Sequence, residues 1–263
     1  GDHRDLHSFP TRRSSDLNNC PWLKKICLKT LAYGMTCFKY KYMLGVSDSV
    51  FEEFIFGRFF DKKEKIVGNP ISVELIRRKT DGSNSGEEYD IAFLGRLSEQ
   101  KNPLKYIEII NDIQCEMPVK AVMIGDGELR EIVEEKIQEL GLEEIINLKG
   151  FLENPYEILQ KCKVLCMPSR WEGFGLAAVE ALALGVPVVA TEVGGLPGII
   201  DESCGKLCDS KETFVEEIGS LLSDSELYRK KISGANKRAE ELDNIDQYIS
   251  DMINVYKNCG VII

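Results

Sequence analysis

Histidine is nearly absent from this chain of 263 residues, because His3 and His7 are the only two and both lie near its amino end. Among nine cysteines there is no C-x2-C pair, and the C-x3-C spacing occurs at 162–166 and 204–208. With two histidines near the amino end and no C-x2-C pair, the chain lacks the usual ligands of a zinc site. We expect neither a metal nor a cofactor. We interpret the cysteines as reduced, small hydrophobic residues of a cytoplasmic protein. Those in apolar surroundings are Cys27, Cys37, Cys115, Cys162 and Cys166.

Long apolar runs and an excess of basic charge are also missing. No stretch approaches the ~20 apolar residues that span a bilayer, and 43 acidic residues outnumber 33 basic ones. The net charge of −10 argues against nucleic acid as a partner, since phosphate backbones attract basic patches. The local exception is 24–41, where lysines alternate with apolar residues. We favour a solvated helix face for this segment, and the alternative is peripheral association with an anionic membrane. The expected location is the cytoplasm, or the inner face of the membrane.

Residues 1–17, "GDHRDLHSFPTRRSSDL", show neither periodicity nor the apolar stretch of a signal peptide. They resemble the translation of a sequencing adapter, so we expect a non-native tail that takes no part in the fold. The elements predicted between this tail and residue 89 are a helix over 21–42, a strand in "YMLGVSD", a helix from Ser49 to about Phe60, a strand in "KIVGNPI", and a loop over 77–88. Ser47 or Asp48 is the predicted N-cap of the second helix.

From residue 89 onward, short apolar stretches alternate with segments of helical spacing. The strand-like stretches are "YDIAFLGRL", "VKAVMIG", "IINLKGF", "KVLCMPS" and "VPVVATEVGG". The helical segments are "NPLKYIEIINDIQC", "GELREIVEEKIQELG", "NPYEILQKC" and "GLAAVEALALG", followed by helices over 211–222, 225–241 and 245–258. This alternation predicts an α/β fold over about 89–210, a doubly wound parallel sheet with helices on both faces. Gly141 and Gly185 are predicted to end two of the helices.

Five glycine-containing connections follow the predicted strands: "GRLSEQKNP", "GDGE", "GFLENP", "PSRWEGFG" and "TEVGGLPG". Ligands of such sheets bind at the carboxyl ends of the strands, where these connections meet. Glycines let backbone N–H groups approach a ligand, helix starts attract anions, and Arg96 and Lys101 add two cations. Together these features predict a diphosphate site, although a surface cation pair or a "GDG" turn alone more often has no function. The G-x-G-x-x-G fingerprint of nicotinamide and flavin enzymes is absent after the first strand.

Two carboxylates mark the fourth connection and the helix after it. Glu172 precedes the glycines, and Glu180 lies eight positions later among alanines, leucines and a valine. An ionised carboxylate on an apolar helix is costly unless partners satisfy it. A nearby arginine or lysine, or a narrow strip facing solvent, would be a structural explanation for Glu180. We favour a ligand, because the alanine-rich helix predicts tight packing and a carboxylate there can accept two hydrogen bonds from a diol such as a ribose.

In combination, "GRLSEQKNP", "MIGDGELR", "LKGFLENP" and "SRWEGFGLAAVEALALGVPVVAT" followed by "GG" resemble the carboxyl half of retaining glycosyltransferases of family 4. The likeness covers about residues 43–258, and its E-x7-E element is Glu172 with Glu180. The resemblance implies the GT-B architecture of two Rossmann-like domains, of which this chain would hold the second. It also implies that a sugar is transferred from a nucleotide sugar, expected to be a UDP sugar, with retention of anomeric configuration. The implied acceptor is a glycan or a lipid-linked molecule in polysaccharide or glycolipid assembly.

The resemblance also assigns roles to single residues. Arg96 and Lys101 would hold the donor diphosphate and stabilise the departing nucleotide, and Glu172 would bind hydroxyls of the donor sugar; these three are the implied catalytic residues. Glu180 would accept from the ribose hydroxyls. The other implied donor-binding positions are Gly95, Gly125, Asp126, Gly127, Phe151, Leu152, Gly173, Phe174, Gly175 and Leu176. The leaving phosphate would take the proton of the acceptor, so both glutamates resemble binding groups rather than an acid/base pair.

This sequence departs from the family pattern in the amino half. In the family, that half supplies the acceptor site, a glycine-rich loop and often a histidine. The expected domains are a non-native tail at 1–17, a remnant of the acceptor domain and linker at 18–68, the nucleotide-sugar domain at 69–244 and a crossover helix at 245–263. We therefore expect a fragment that binds nucleotide weakly and transfers no sugar alone. The alternatives are a stand-alone nucleotide-binding module with a separate acceptor-binding subunit, and an unrelated Rossmann oxidoreductase that would bind NAD better than UDP.

Overall fold

The computed structural model describes residues 42–45, 64–80 and 87–260. Two short strands at its start, β1 (Met43–Gly45) and β2 (Glu64–Ile66), pair in parallel as a separate two-stranded sheet. β1 falls within the strand predicted in "YMLGVSD", and β2 overlaps the one predicted in "KIVGNPI". The predicted tail and the helices predicted over 21–42 and 49–60 lie outside the described residues, except for Tyr42, which is not helical.

The main sheet consists of six parallel strands in the order β5-β4-β3-β6-β7-β8. Its strands are β3 (Tyr89–Leu94), β4 (Ala121–Ile124), β5 (Ile146–Gly150), β6 (Cys162–Met167), β7 (Val188–Thr191) and β8 (Gly205–Cys208). The chain runs outward from β3 to β5, crosses back to β6 on the other side of β3, and continues to β8. Ile91 of β3 thus pairs with Ala121 on one side and with Val164 on the other. Because the order of the strands reverses between β3 and β6, this pair is the topological switch point.

Helices connect the strands and cover both faces of the sheet. They are α1 (Val73–Arg78), α2 (Pro103–Glu116), α3 (Arg130–Glu139), α4 (Tyr156–Leu159), α5 (Leu176–Ala183), α6 (Lys211–Ser223), α7 (Ser225–Leu242) and α8 (Ile245–Asn258), with a 3₁₀ turn at Leu196–Gly198. One face of the sheet packs against α1, α4, α5 and α7, and the other face packs against α2, α3 and α6. The predicted doubly wound α/β fold is confirmed.

The central strands are buried along nearly their whole length. β4 is buried at every position, and β6 has a single exposed residue, Lys163. Such continuous apolar strands are typical of parallel sheets that are covered on both faces. Their ends are then the places where backbone and side chains reach solvent, so the connections at the carboxyl edge are the accessible part of the sheet.

Most of the cysteines in the described part of the chain are buried free thiols, as predicted. They are Cys162, Cys166, Cys204 and Cys208. Burial raises the pKa of the Cys162 thiol to about 12, which keeps it protonated. Cys115, grouped with the buried cysteines by its apolar neighbours, is instead exposed in the last turn of α2. Within the described residues there is no group of three side chains that could hold a metal ion.

The first helix of the described chain corrects a prediction. Residues 77–78 belong to α1 rather than to a loop. Ser72 caps this helix, because its hydroxyl oxygen accepts from the Leu75 N–H at 3.3 Å. The Val73 N–H donates to Oδ2 of Asp243 at 3.0 Å, and the Val73 side chain is buried. At the other end of the helix, Arg77 Nε donates to the carbonyl oxygen of Ala183, in α5, at 2.8 Å. Tertiary contacts therefore include residues 77–78 in a helix, although their polar composition predicts a loop.

Two further boundaries depend on contacts between distant segments. β8 has no counterpart among the predicted strands, and its four residues become a strand by pairing with β7. α3 begins at Arg130 rather than at Gly127. The reason is that the N–H of Leu129 donates to the carbonyl oxygen of Leu97 at 3.0 Å, which holds the preceding turn against the connection after β3.

The helix ends and the carboxyl-terminal helices agree with the prediction. Gly141 follows α3 with φ of 66°, and Gly185 follows α5 with φ of 74°, both in the left-handed region. The last three helices match their predicted bounds to within one residue. In α8 no residue is buried. No helix in the part of the chain that the structure describes is long and apolar enough to cross a membrane.

Candidate functional site

The connections after β3 and β6 lie side by side at the carboxyl edge of the sheet, because these two strands pair. The N–H of Arg170 donates to the carbonyl oxygen of Gln100 at 2.8 Å, and Gln100 Nε2 donates to the carbonyl oxygen of Trp171 at 3.1 Å. The guanidinium of Arg170 also forms an ion pair with a carboxylate of the first connection. These contacts hold the next residue of each connection, Lys101 and Glu172, opposite each other across the switch point.

A buried ion pair joins two of the predicted catalytic residues. Lys101 Nζ lies 2.5 Å from Oε1 of Glu172, and Ser169 Oγ donates to the same oxygen at 2.8 Å. The side chains of Glu172 and Lys101 are only 5% and 19% exposed. A carboxylate so far from solvent requires such partners. Its other oxygen, Oε2, accepts no hydrogen bond from the described residues.

The sequence pointed to Lys101 and Glu172 separately and missed Ser169. This serine lies two positions after the end of β6 and three positions before Glu172. A hydroxyl residue at the carboxyl end of a central strand, close to a candidate carboxylate, is the signal that could have identified it. Ser169 is itself buried, so its hydroxyl has Glu172 as its partner in place of water.

Arg96 stands apart from this pair. Its Nε lies 3.2 Å from Oε2 of Glu128 in the connection after β4, and the two side chains are 73% and 55% exposed. Exposed ion pairs contribute little to stability, because water screens them. Glu128 is therefore a weak competitor for an incoming anion. The two cations that were expected to act together occupy different surroundings, one buried in an ion pair and the other in contact with solvent.

Two glycines let neighbouring connections touch through their backbones. A Cβ atom on Gly125 would lie 1.9 Å from the carbonyl oxygen of Gly95, so the connections after β3 and β4 are in direct backbone contact. A Cβ atom on Gly194 would lie 1.7 Å from the carbonyl oxygen of Glu172, and its φ of 54° lies in the left-handed region that favours glycine. Gly194 follows β7, and it packs directly against the backbone of Glu172. These two glycines allow neighbouring connections to pack closely. The sequence alone did not show this role.

Helix α5 begins at this edge without a capping side chain. Gly175 is its N-cap residue, and no side chain accepts a hydrogen bond from the first turn. The N–H groups of Leu176 and Ala177 therefore have no acceptor within the helix, an arrangement that favours an anion. The prediction of tight packing along α5 is confirmed. Its buried residues are Ala178, Val179, Ala181, Leu182 and Ala183.

Glu180 lies in the second turn of α5 and has a partner that the sequence did not indicate. The hydroxyl of Tyr156, in α4, donates to Oε1 of Glu180 at 3.0 Å. Among the described residues no arginine or lysine forms an ion pair with Glu180, and its side chain is half-buried rather than on an exposed strip. Burial raises the pKa of Glu180, whereas the Tyr156 hydroxyl and the ammonium groups of Lys79 and Lys101 oppose that rise. Neither structural explanation considered for Glu180 therefore applies.

The remaining predicted positions lie at the same edge, but not all of their side chains are available. Asp126 accepts from the N–H of Gly127 at 2.8 Å and forms an ion pair of 3.1 Å with Arg130, so its carboxylate stabilises its own turn. Phe151 is 74% exposed, and Leu152 is half-buried against the core. The ring of Phe151 is thus exposed and can contact a ligand with its face.

Residues 76–238 match the family model described as "Glycosyl transferases group 1". This span is more than half of the chain, and the chain belongs to that family. The matched span contains all predicted catalytic and donor-binding positions, from Gly95 to Glu180.

Two curated relatives illustrate the likeness in sequence. The Campylobacter jejuni enzyme named N-acetylgalactosamine-N,N'-diacetylbacillosaminyl-diphospho-undecaprenol 4-alpha-N-acetylgalactosaminyltransferase is 30% identical over 188 residues, which are 70% of this chain and 51% of the relative. The Bacillus anthracis N-acetyl-alpha-D-glucosaminyl L-malate synthase is 25% identical over 186 residues, which are 70% of this chain and 49% of the relative. This chain thus spans about half the length of the curated relatives it matches.

Solved structures show the same fold. HepE from Anabaena, in complex with UDP and glucose, superimposes with a TM-score of 0.71 at 20% identity, over 82% of this chain and 63% of that chain. The pneumococcal O-GlcNAc transferase GtfA, in complex with UDP and GlcNAc, also has a TM-score of 0.71, at 22% identity, over 86% of this chain and 46% of that chain. The expected Rossmann-like fold of a GT-B glycosyltransferase is confirmed.

Proposed function

We propose that this chain binds the nucleotide sugar of a glycosyltransferase, expected to be a UDP sugar, at the carboxyl ends of β3 and β6. In the whole protein the sugar passes to a glycan or lipid-linked acceptor in polysaccharide or glycolipid assembly. The observation that supports this proposal best is the buried Lys101–Glu172 pair beside the uncapped start of α5. Both features lie at the switch point, which is where doubly wound sheets bind ligands.

The diphosphate of the donor would meet positive potential from more than one direction. Arg96 presents an exposed guanidinium, and the first turn of α5 presents the N–H groups of Leu176 and Ala177. Lys101 uses one of its three N–H donors on Glu172, so two remain for a phosphate oxygen. Fixed donors of this kind stabilise the charge that develops on a leaving diphosphate. The proposed reaction therefore requires neither a metal nor another cofactor.

Glu172 would bind the hydroxyls of the donor sugar through Oε2. Its Oε1 already accepts from Lys101 and Ser169, which suits the carboxylate to binding rather than to proton transfer. We propose that the leaving phosphate takes the proton of the acceptor and that the anomeric configuration is retained. Names of relatives from Campylobacter jejuni and Bacillus subtilis include an alpha linkage, which agrees with retention if the donor is an alpha-linked nucleotide sugar.

Glu180 would bind the ribose hydroxyls, and the connections after β4 and β5 would surround the base. Phe151 offers an exposed aromatic ring at this end of the site. The UDP in the HepE and GtfA complexes supports uracil as the base.

We further propose that residues 69–244 form the nucleotide-sugar domain and that 245–263 form the crossover helix. The span matched by the family model, 76–238, lies inside the first, and α8 begins at Ile245. The name of the Campylobacter jejuni relative includes diphospho-undecaprenol, a lipid-linked group. A lipid-linked acceptor would bring this protein from the cytoplasm to the inner face of a membrane.

Calorimetric titration of the chain with UDP, GDP, ADP and NAD tests the proposal. We expect UDP to bind most tightly, and we expect Glu180→Gln and Arg96→Ala to weaken that binding. Glu143→Gln is the matched control, since Glu143 is an exposed carboxylate between α3 and β5, at the amino edge of the sheet. Tighter binding of NAD than of UDP, or UDP affinity that is unchanged in both site variants, would overturn the proposed site.

A further inference from the structure

Tyr156 lies in α4, the short helix between β5 and β6, and it is not one of the predicted site residues. Its backbone is anchored through Asn154: the Tyr156 N–H donates to Asn154 Oδ1 at 3.3 Å, and Asn154 Nδ2 donates to the carbonyl oxygen of Lys79 at 2.8 Å. Lys79 follows α1 directly, and its Nζ lies 5.3 Å from the centroid of the Tyr156 ring. The tyrosine is therefore held in place by contacts of both its backbone and its ring.

The hydroxyl of Tyr156 reaches Glu180, which lies 24 positions later in the sequence, and donates to Oε1 at 3.0 Å. The other carboxylate oxygen, Oε2, accepts no hydrogen bond from the described residues. Among the described residues, the side-chain oxygen that is fully buried and lacks a hydrogen-bond partner is Oγ1 of Thr191. Oε2 of Glu180 also lacks a partner among them, so it is not fully buried. A carboxylate with one oxygen fixed presents the other in a defined direction, and here that oxygen is open to a ligand.

The partner of Glu180 is neutral, and this affects what the carboxylate can bind. The titratable and charged groups that act on Glu180 are Tyr156 from α4, Lys79 after α1 and Lys101 in the connection after β3. Neither lysine is within ion-pair distance of Glu180, because Lys101 pairs with Glu172 and Lys79 lies over the tyrosine ring. A phenol holds a carboxylate without neutralising it, so the charge remains available to hydroxyl donors. Burial raises the pKa of Tyr156, which keeps its hydroxyl protonated.

We infer that Tyr156 is a positioning residue for nucleotide recognition, which holds Glu180 through Oε1 so that Oε2 receives the 2′- and 3′-hydroxyls of the ribose. The inference rests on the proposed function, because it requires a nucleotide in this site. Tyr156 acts through Glu180 and makes no contact with the ribose hydroxyls itself.

The test compares Tyr156→Phe with the wild-type chain by titration with UDP and with 2′,3′-dideoxy-UDP, which lacks both hydroxyls. We expect wild type to bind UDP about 10-fold more tightly than the dideoxy compound, the size of a hydrogen bond to a charged group. In Tyr156→Phe we expect this ratio to fall to about 2-fold, with the dideoxy affinity nearly unchanged. Tyr228→Phe is the control, since the half-buried Tyr228 hydroxyl in α7 has no hydrogen bond among the described residues. It should keep the wild-type ratio.

The outcomes separate this inference from the proposed function. A wild-type chain that binds UDP and discriminates against dideoxy-UDP supports the function, and a wild-type ratio in Tyr156→Phe then overturns the inference alone. A wild-type chain that does not bind UDP overturns both. Equal loss of affinity for both nucleotides in Tyr156→Phe indicates a merely structural role and also overturns the inference. In a Glu180→Gln background, Tyr156→Phe should leave the ratio unchanged, because the two residues act as one unit.

The pH profile supplies a second readout. The Tyr156 hydroxyl lowers the pKa of Glu180, so its removal raises that pKa further. As the pH falls, UDP affinity should therefore begin to decrease at a higher pH in Tyr156→Phe than in wild type. Dideoxy-UDP carries the same phosphates, and its profile should be the same in both chains, which corrects for titration of the diphosphate. Identical UDP profiles would contradict the inference.

Discussion

Lys101 and Glu172 lie 71 positions apart in the sequence, and their side chains form an ion pair of 2.5 Å. The pair joins the connections after β3 and β6, the strands between which the order of the sheet reverses. Ser169 is the second partner of Glu172, and the backbone of Gly194 packs against its carbonyl oxygen. The proposed donor site thus contains a buried salt bridge that belongs to the fold as well as to the site.

Replacing Lys101 by methionine leaves Glu172 buried without a counter-charge. We expect Lys101→Met to lower the free energy of unfolding by about 3 kcal/mol, a typical cost of removing one partner of a buried ion pair. Urea denaturation followed by circular dichroism measures this change. The double variant Lys101→Met/Glu172→Gln should be less destabilised than the single one, because it leaves no uncompensated charge.

Lys163→Met is the matched control for that prediction. Lys163 pairs with Asp90 at 2.8 Å, and its side chain is 49% exposed. Loss of such a surface pair is expected to cost less than about 1 kcal/mol. Equal losses of stability in Lys101→Met and Lys163→Met would show that burial does not increase the cost of removing the lysine from the Lys101–Glu172 pair.

Arg96→Ala separates phosphate binding from stability. Arg96 is exposed, and among the described residues its ion-pair partner is the exposed Glu128, so its removal should leave the unfolding transition unchanged. UDP affinity should fall about 10-fold, and the remaining affinity should depend less on salt, because a charge-assisted contact to phosphate is lost. Calorimetry at two salt concentrations measures both effects. Arg229→Ala, an exposed arginine of α7, is the control, and an equal loss of affinity in that variant would refute the assignment.

The two glutamates should differ in what their amide variants lose. Glu180→Gln should weaken UDP binding about 10-fold, because a charged acceptor for the ribose hydroxyls is lost. Glu172→Gln should mainly reduce discrimination among UDP sugars, since its free oxygen faces the sugar end in the proposed site. Competition titrations with UDP, UDP-glucose and UDP-N-acetylglucosamine distinguish these effects. The reverse pattern, with UDP affinity lost in Glu172→Gln alone, would exchange the two assignments.

Glu180 should also make stability depend on pH in a specific direction. Burial raises its pKa in the folded state above the ordinary value of 4.5. The ionised form is therefore disfavoured by folding, and this cost is fully present above the raised pKa and disappears as the pH falls below 4.5. Glu180→Gln should thus be more stable than wild type at pH 7, and the difference should vanish in acid. Thermal denaturation at several pH values measures it, and a constant difference would argue against the burial of the charge.

Gly194→Ala should destabilise the fold through the backbone of Glu172. An added Cβ would lie 1.7 Å from the Glu172 carbonyl oxygen, at a position whose φ is 54°. We expect a loss of at least about 1 kcal/mol, since a residue other than glycine is strained there even without the contact. Gly198→Ala is the control, because a Cβ at Gly198 would meet nothing within 4 Å. Similar melting temperatures for the two variants would contradict the predicted contact.

The candidate site could be predicted in part because its residues stand in strand-to-helix connections or, like Glu180, in the helix that follows one. Parallel strands bring these connections to one edge, so Arg96, Lys101, Glu172 and Glu180 could be placed there before any contact was known. Their partners could not be predicted in the same way. Glu180 accepts from Tyr156, 24 positions away, and nothing in "NPYEIL" marks that tyrosine as different from a core residue.

The amino-acid sequence by itself determined the alternation of strands and helices, the doubly wound sheet and the bounds of the last three helices to within one residue. These features follow from apolar periodicity, caps and glycine stops, which act between neighbours in the chain. Tertiary structure alone decided that β8 is a strand, that α1 extends to Arg78, and that Lys101 meets Glu172. Each of these depends on contacts between segments far apart in the chain, and such contacts form only when the sheet order brings the segments together.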